Sequence, residues 1–310
     1  MSSPLTSNES GYAHPLYAQS LSQFGYPRHL GGSGGWILVR EIPGAAERDA
    51  MGCYPLFCCR DWSQLAEDLQ EVGSGLVSLA LVTDPFGEYT EENLRHTFKD
   101  LVVPFKQHFV VDLSVPSENF VLSHHRRNAQ KALREVSVEV CANPVSFLDD
   151  WTLLYNTLIE RHGISGIAAF SRESFAGQLT VPGIVAFRAV HDDSTVGMLL
   201  WYEQDNRAYY HLGAYSARGY ELRASFALFD YSIKYFARRE IEWLSLGSGA
   251  GIGKSEGSGL SRFKQGWSNG VRTGYFCGCI FDHDKYEQIM KTRRALPTNY
   301  FPAYRDGEFR

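Results

Sequence analysis

The side chains of this chain that could do chemistry are cations, histidines and tyrosines rather than a covalent nucleophile. The glycine-rich run from Gly247 to Gly259 contains two motifs that fail on their context. Ser248-Gly249-Ala250-Gly251-Ile252-Gly253-Lys254-Ser255 is one glycine short of a phosphate-cradling P-loop, and Gly257 and Gly259 interrupt the helix its lysine has to open. Gly253-Lys254-Ser255-Glu256-Gly257 spells a nucleophile elbow, yet Ser255 falls far beyond the preceding strand instead of on a sharp strand-to-helix turn. The only histidine after it is His283, with no distinct acidic region between the two. The run reads better as a loop lining a groove, where Gly249 and Gly251 let a ligand approach the backbone.

Lys264 follows that loop on a short helix. An ammonium beside a scissile carbonyl or an acceptor carboxylate stabilises the negative charge that builds during acyl transfer; a solvated helix lysine is the plain alternative. Arg161 and His162 close a helix, where cations suit the dipole and an arginine fork also matches a carboxylate or phosphate. Tyr209, Tyr210 and His211 share a strand, so alternation puts Tyr209 and His211 on one face and Tyr210 on the other. His124, Arg127, Lys131 and Arg134 recur at steps of three and four, as a solvated helix face or a ridge for phosphates. The six cysteines include no C-x-x-C pair, so zinc spacing is absent and no metal is implied. Cys277 and Cys279 fall on one strand face, as buried small apolar residues do, and a reducing compartment fits.

The elements that must position these residues are legible from periodicity. Residues 1–35 are polar and end in Gly31-Gly32-Ser33-Gly34-Gly35, a hinge by composition. Residues 36–115 alternate strands and helices and form a first lobe; residues 116–310 form a second lobe with a C-terminal tail. In the second, a long helix is predicted from Pro116 to Glu135, and a further helix stops near Gly163. Gly183 to Val190, Val196 to Tyr202 and Ala208 to Tyr215 are β-rich runs joined by short turns, hence antiparallel neighbours. Leu222, Phe226, Phe229, Ile233 and Phe236 then give a helix with a wide buried face. Strand 241–246, a short helix from Gly259 to Trp267 and strand 275–281 complete the order. The fold class is α+β (mixed α/β).

With 310 residues, 44% apolar and 21% charged, the chain can build a large core and exceeds one typical domain. A formal charge of -5 counts against a dedicated nucleic-acid binder, and no DNA partner is expected. No run approaches a membrane span, and the first residues lack the basic-then-apolar pattern of a secretory signal, so a cytoplasmic location is expected.

Four segments carry a family resemblance. They are Val110-Val111-Asp112-Leu113-Ser114 leading into His125-Arg126-Arg127-Asn128-Ala129-Gln130-Lys131-Ala132, then Glu160-Arg161-His162-Gly163, Tyr209-Tyr210-His211-Leu212-Gly213-Ala214, and Gly259-Leu260-Ser261-Arg262-Phe263-Lys264-Gln265-Gly266-Trp267. Together they resemble the GNAT acyltransferases, and within them the Fem-like branch, whose signature reads G-L-x-x-F-K-x-G-aromatic. The resemblance covers roughly Phe109 to Tyr304 and implies two GNAT-like lobes, each a mixed, largely antiparallel sheet packed with helices.

The implied activity is N-acyl transfer, in which an amine attacks an activated acyl carbonyl directly, with no covalent enzyme intermediate. On that resemblance Lys264 is the electrostatic catalyst, His211 a candidate general base and Tyr220 a candidate proton donor to the leaving group. Arg161, His162, Tyr210, Phe263 and Arg127 are expected to bind substrate, Phe263 chiefly by packing. Acyl-CoA is the expected co-substrate, no cofactor being tightly bound, and aminoacyl-tRNA is the alternative donor. The loop 217–224 departs from the GNAT diphosphate signature, so Arg218 and Arg223, with Gly249 and Gly251, are the expected donor contacts. The acceptor is expected to be a small-molecule or cell-wall-precursor amine. A GNAT-like binding module without catalysis is the competing class.

Overall fold

The structure, a computed structural model, describes residues 9–249, 259–293 and 298–308. The first part of the chain runs through α1 (Pro15–Ser20), β1 (Tyr26–His29), β2 (Trp36–Glu41), β3 (Arg48–Gly52), α2 (Leu65–Gly73), β4 (Ser78–Val82), α3 (Glu91–Thr97) and β5 (Leu101–Asp112). It continues through α4 (Ser123–Ala132), β6 (Ser137–Val140), α5 (Leu148–His162), α6 (Arg172–Gln178), β7 (Ile184–His191), β8 (Ser194–Gln204) and β9 (Arg207–Tyr215). The last elements are α7 (Ala217–Glu221), α8 (Ala224–Phe236), β10 (Trp243–Gly247), α9 (Gly259–Gln265), β11 (Gly270–Ile280) and α10 (His283–Thr292).

The fold is mixed α/β with largely antiparallel strand pairing, as expected, and the chain forms two compact units. The first unit comprises Tyr12–Phe105, Ser165–Phe170 and Thr273–Arg310. Its strands lie in the order β1-β2-β3-β4-β11, with only β3 and β4 parallel. Leu65, Leu69 and Val72 of α2 pack on Leu79, Leu81, Cys277 and Cys279. Burial pushes both thiols up to about 12, so they behave as small apolar residues. Within the same unit, fully buried Asp49 accepts from Arg305 (Nη2–Oδ1, 2.8 Å) and lies 3.3 Å from Arg40, tying the C-terminal residues to β2 and β3.

The run Gly31–Gly35 is a tight turn instead of the expected hinge. Leu30 and Gly35 bond across it, Gly34 takes φ 76°, and the Ser33 N–H donates to Asp68 Oδ2 at 2.6 Å. Composition predicted flexibility, but the glycines serve positive φ and close approach, and a buried carboxylate takes up the backbone donors.

The second unit is built around Lys106–Ile164 and Ser171–Arg272, with strand order β5-β10-β9-β8-β7-β6. All its pairs are antiparallel except β9 with β10. Asp192 and Asp193 turn β7 into β8 with φ of 47° and 58°, the left-handed pair that a two-residue hairpin demands. Helix α8 covers the sheet, burying Leu228, Phe229, Ile233 and Phe236 against Leu199, Trp201, Leu244 and Leu246.

The long helix predicted from Pro116 to Glu135 is shorter. A 3-10 turn spans Ser117–Asn119, and Leu122 is extended at φ -58°, ψ 139° before α4 begins at Ser123. The Leu122 N–H donates to the Gly266 carbonyl at 3.1 Å, a tertiary bond that takes this residue out of helical geometry.

Candidate active site

The parallel pairing of β9 with β10 ends at Tyr209 opposite Ser245. Both strands are disturbed there. On β9 the register against β8 jumps from Tyr210 opposite Trp201 to Leu212 opposite Leu200, leaving His211 as an extra, bulged residue. On β10 it jumps from Ser245 opposite Val110 to Gly247 opposite Phe109, leaving Leu246 extra. Bulges bend strands and re-aim side chains, so the two strands part just where Tyr210 and Gly247 begin.

The Phe-Lys-Gln-Gly-Trp sequence of α9 fills that parting by packing around one histidine. His125, at the start of α4, donates from Nε2 to the Phe263 carbonyl at 3.1 Å. Its ring lies edge-on to Trp267 and Phe226 at 5.1 and 5.2 Å and tilted against Phe263 at 5.6 Å. Gly266 leaves the space the imidazole occupies. Phe263 is thus a wall of this aromatic box, and the turn of helix it holds delivers Lys264.

Lys264 is 5% exposed and donates to the Ser248 carbonyl at 2.7 Å, with its ammonium 5.1 Å above the centre of the Tyr210 ring. Burial, and then the charge of Lys106, hold its pKa down to about 7. Among the described residues no carboxylate pairs with it, and the Ser248 carbonyl takes one of its three donors. Tyr210 is also pushed up by burial, and its ring packs against Trp201 and Phe229.

Strand β5 carries two further polar groups whose electrostatics involve Lys264. Lys106 and His108 are two residues apart and so project from one face of the strand. His108 is buried, its Nδ1 has no partner among the described residues, and burial with the charges of Lys264 and Lys106 holds it at about 3. Neither belongs to a segment that carries the family resemblance; the alternation of Lys106 and His108 just ahead of Phe109 is the signal in the sequence.

The other expected residues divide. Arg161 lies over the Tyr220 ring at 4.2 Å, an exposed cation–π pair, while His162 is exposed at the end of α5. Tyr220 packs edge-on to Tyr215 at 5.5 Å. His211 is turned to α6: its Nε2 donates to Gln178 Oε1 at 3.1 Å and its ring packs on Tyr202. Burial lowers it to about 3, too weak a base to take a proton from an incoming ammonium. The bulge explains the difference from simple alternation, and the role the geometry gives His211 is to fasten the bulge to α6.

Arg218 is bound to Glu221 at 2.9 Å on the exposed side of α7, and Arg223 takes a left-handed φ of 57° between α7 and α8. The loop they occupy is closed on itself. Gly219 N–H donates to Ser216 Oγ, Tyr220 N–H to Ser216 O, Leu222 N–H to Arg218 O and Arg223 N–H to Tyr220 O. Gly219 itself is pressed on the Val196 carbonyl, which a Cβ would meet at 2.0 Å. Arg127 is exposed, as are His124 and Lys131 on α4 and Arg134 in the turn beyond its end. Gly249 accepts from Ser248 Oγ at 3.2 Å, and Gly251 lies outside the described residues.

Comparison with known proteins places this geometry. Residues 121–264, ending on Lys264, match the family model described as acetyltransferase (GNAT) domain. A search of curated proteins finds no match. Among solved structures, FemX superposes with a TM-score of 0.66 at 14% identity, over 91% of this chain and 96% of its own. The C-terminal domain of a putative lysylphosphatidylglycerol synthetase from Agrobacterium fabrum gives 0.60 at 13% identity, over 87% and 88%. L-PGS from Bacillus licheniformis gives 0.58 at 12% identity, over 93% and 98%. At these identities the likeness is one of fold.

Proposed function

We propose that the protein is an acyltransferase that moves an aminoacyl group from a charged tRNA to an amine acceptor, supported by the match of residues 121–264 to the GNAT acetyltransferase model and by the FemX-like fold. The observation that carries this choice of donor is the closed loop after β9. A coenzyme A diphosphate needs free backbone amides and a cation there, but four amides between Gly219 and Arg223 are spent inside the loop and Arg218 is paired with Glu221. The acyl-CoA donor expected from sequence therefore becomes the second reading. An aminoacyl ester asks only for the reacting centre and for phosphate contacts elsewhere, and Arg127, Lys131 and Arg134 are an exposed row of cations. The structural likeness to FemX and to lysylphosphatidylglycerol synthetase supports the same class.

In this reading the acceptor amine attacks the acyl carbonyl, and Lys264 stabilises the oxygen as it gains charge. The new C–N bond forms, the ester C–O bond breaks, and the amine proton ends on the ribose hydroxyl. Tyr220, held by Arg161, is the candidate to hand over that proton.

The test measures binding of charged tRNA and of acyl-CoA over a salt series, with Arg127→Ala and Arg218→Ala beside the wild type. Saturable tRNA binding that weakens steeply with salt and is reduced by Arg127→Ala is expected. Acyl-CoA turnover that depends on Arg218, with no tRNA binding, would overturn the choice of donor.

A further inference from the structure

Helix α9, like any helix, ends on carbonyls that its own backbone does not satisfy. The Gly266 N–H bonds to the Arg262 carbonyl at 3.1 Å, but the Trp267 N–H turns to the Lys264 carbonyl at 3.0 Å. The Phe263 carbonyl is taken instead by a side chain, the Nε2–H of His125, at 3.1 Å. Three residues earlier the Leu122 N–H takes the Gly266 carbonyl at 3.1 Å, so the entry of α4 caps the exit of α9. The carbonyl that His125 holds lies in the same planar peptide unit as the backbone nitrogen of Lys264. One bond therefore orients the backbone from which the ammonium hangs.

We propose that His125 is a positioning residue for acyl transfer, whose Nε2–H clamps the Phe263–Lys264 peptide and so sets where the Lys264 ammonium stands. This rests on the acyl-transfer reading, with Lys264 as the electrostatic catalyst, but not on which donor is used. The far end of the lysine has little room to compensate for a shift of its backbone. Nζ is 2.7 Å from the Ser248 carbonyl and 5.1 Å from the centre of the Tyr210 ring, and a Cβ on Gly247 would lie 3.2 Å from it. Stabilisation of a developing charge demands donors already in place, and a misplacement of about 1 Å can cost about 100-fold in rate.

The bond also fixes the state of the imidazole. The Phe263 carbonyl only accepts, so the proton is on Nε2, and Nδ1 is a bare acceptor with no partner among the described residues. Inside a protein an unpaired acceptor is tolerated more readily than an unpaired N–H, so a second proton is unwelcome there. Burial lowers the pKa of the ring, the bond to Phe263 acts the other way, and the charge of His124 lowers it further. The rings against it from α8 and α9, Phe226, Phe263 and Trp267, carry no charge. An apolar residue would fill this box, but it would leave the Phe263 carbonyl unpaired.

The experiment compares His125→Gln, which keeps an N–H near the Nε2 position, with His125→Asn and His125→Leu, which do not. Turnover per folded molecule is followed with bulk charged tRNA and with acetyl-CoA as donors and glycylglycine as acceptor, the folded fraction being read by urea denaturation. His125→Asn and His125→Leu are expected to lower kcat about 100-fold with KM within about threefold of wild type, and His125→Gln to recover at least about tenfold of that. If His125→Leu does not fold, the Asn and Gln variants carry the comparison. Carbon-13 NMR of the lysine Cε groups, with Lys264 assigned by its loss in Lys264→Met, needs no turnover. Lys264 is expected to titrate near about 7 in the wild type and in His125→Gln, and higher in His125→Asn, where a loosened turn lets water reach the ammonium. Absence of turnover with either donor overturns the acyl-transfer reading, while the titration still reads the clamp. A His125→Asn protein with kcat within threefold of wild type, or with an unmoved Lys264 titration, or a His125→Gln protein no better than His125→Asn, overturns the proposal, because a merely structural histidine would change stability alone.

Discussion

A methyl group placed on Gly266 would sit 2.2 Å from Cε1 of His125. The two residues are far apart in sequence, and their contact is what makes the glycine of the Phe-Lys-x-Gly signature necessary. The imidazole occupies the volume any side chain at 266 would need, while its Nε2 bonds to Phe263 and its ring meets Phe226 and Trp267. The helical turn carrying Lys264 is thereby fixed on α4.

Gly266→Ala must push that ring or the helix aside. Overpacking of this kind costs about 1–3 kcal/mol. Urea denaturation of the variant is expected to show that loss together with a drop in turnover. Unchanged stability would mean that α9 yields without strain.

Lys264→Met is expected to raise stability even as it removes activity. The lysine is held at about 7 in the folded protein against an ordinary 10.5, so between those values the unfolded chain binds more protons and wild-type stability rises with pH. Below pH 7 both states are protonated and the penalty of the buried ammonium is fully present. The gain of the Met variant should therefore be largest below pH 7, at most about 5 kcal/mol, and fade toward pH 10.5. Paired denaturation series across pH read it; a variant less stable than wild type at pH 6 contradicts it.

The same group sets the rate profile. If the ammonium stabilises the acyl oxygen, kcat/KM of the free enzyme is level below pH 7 and falls as pH rises through about 7. Lys264→Met should lie about 100–1000-fold lower and show no such limb. A wild-type profile that instead climbs through pH 7 would make Lys264 a base.

His211 should behave as a fastening and not as a base. Gln178→Leu removes the acceptor of the His211 Nε2–H bond and is expected to cost about 1–3 kcal/mol in thermal denaturation. The pH dependence of kcat/KM should keep its shape in that variant and in His211→Asn. Loss of an acidic limb in His211→Asn alone would restore the histidine as base.

Local patterns settled what is local in cause. Three-four spacing in 222–236 marked the covering helix, the aspartate pair at 192–193 marked a hairpin, and the run from Gly259 to Trp267 marked Lys264. Each depends on residues within a turn or two of one another, so the chain carries the information in order. Tertiary structure alone decided the rest. Tyr209, Tyr210 and His211 do not simply alternate, because a bulge opposite Leu200 and Trp201 re-aims His211 to Gln178. Arg218 and the amides around Gly219 are closed off by Glu221, Ser216 and the Val196 carbonyl, partners no spacing rule predicts for a departed signature. Burial of Lys264 against the Ser248 carbonyl requires α9 to meet the end of β10, and its lowered pKa arises from that meeting, where water is excluded and charges are felt strongly.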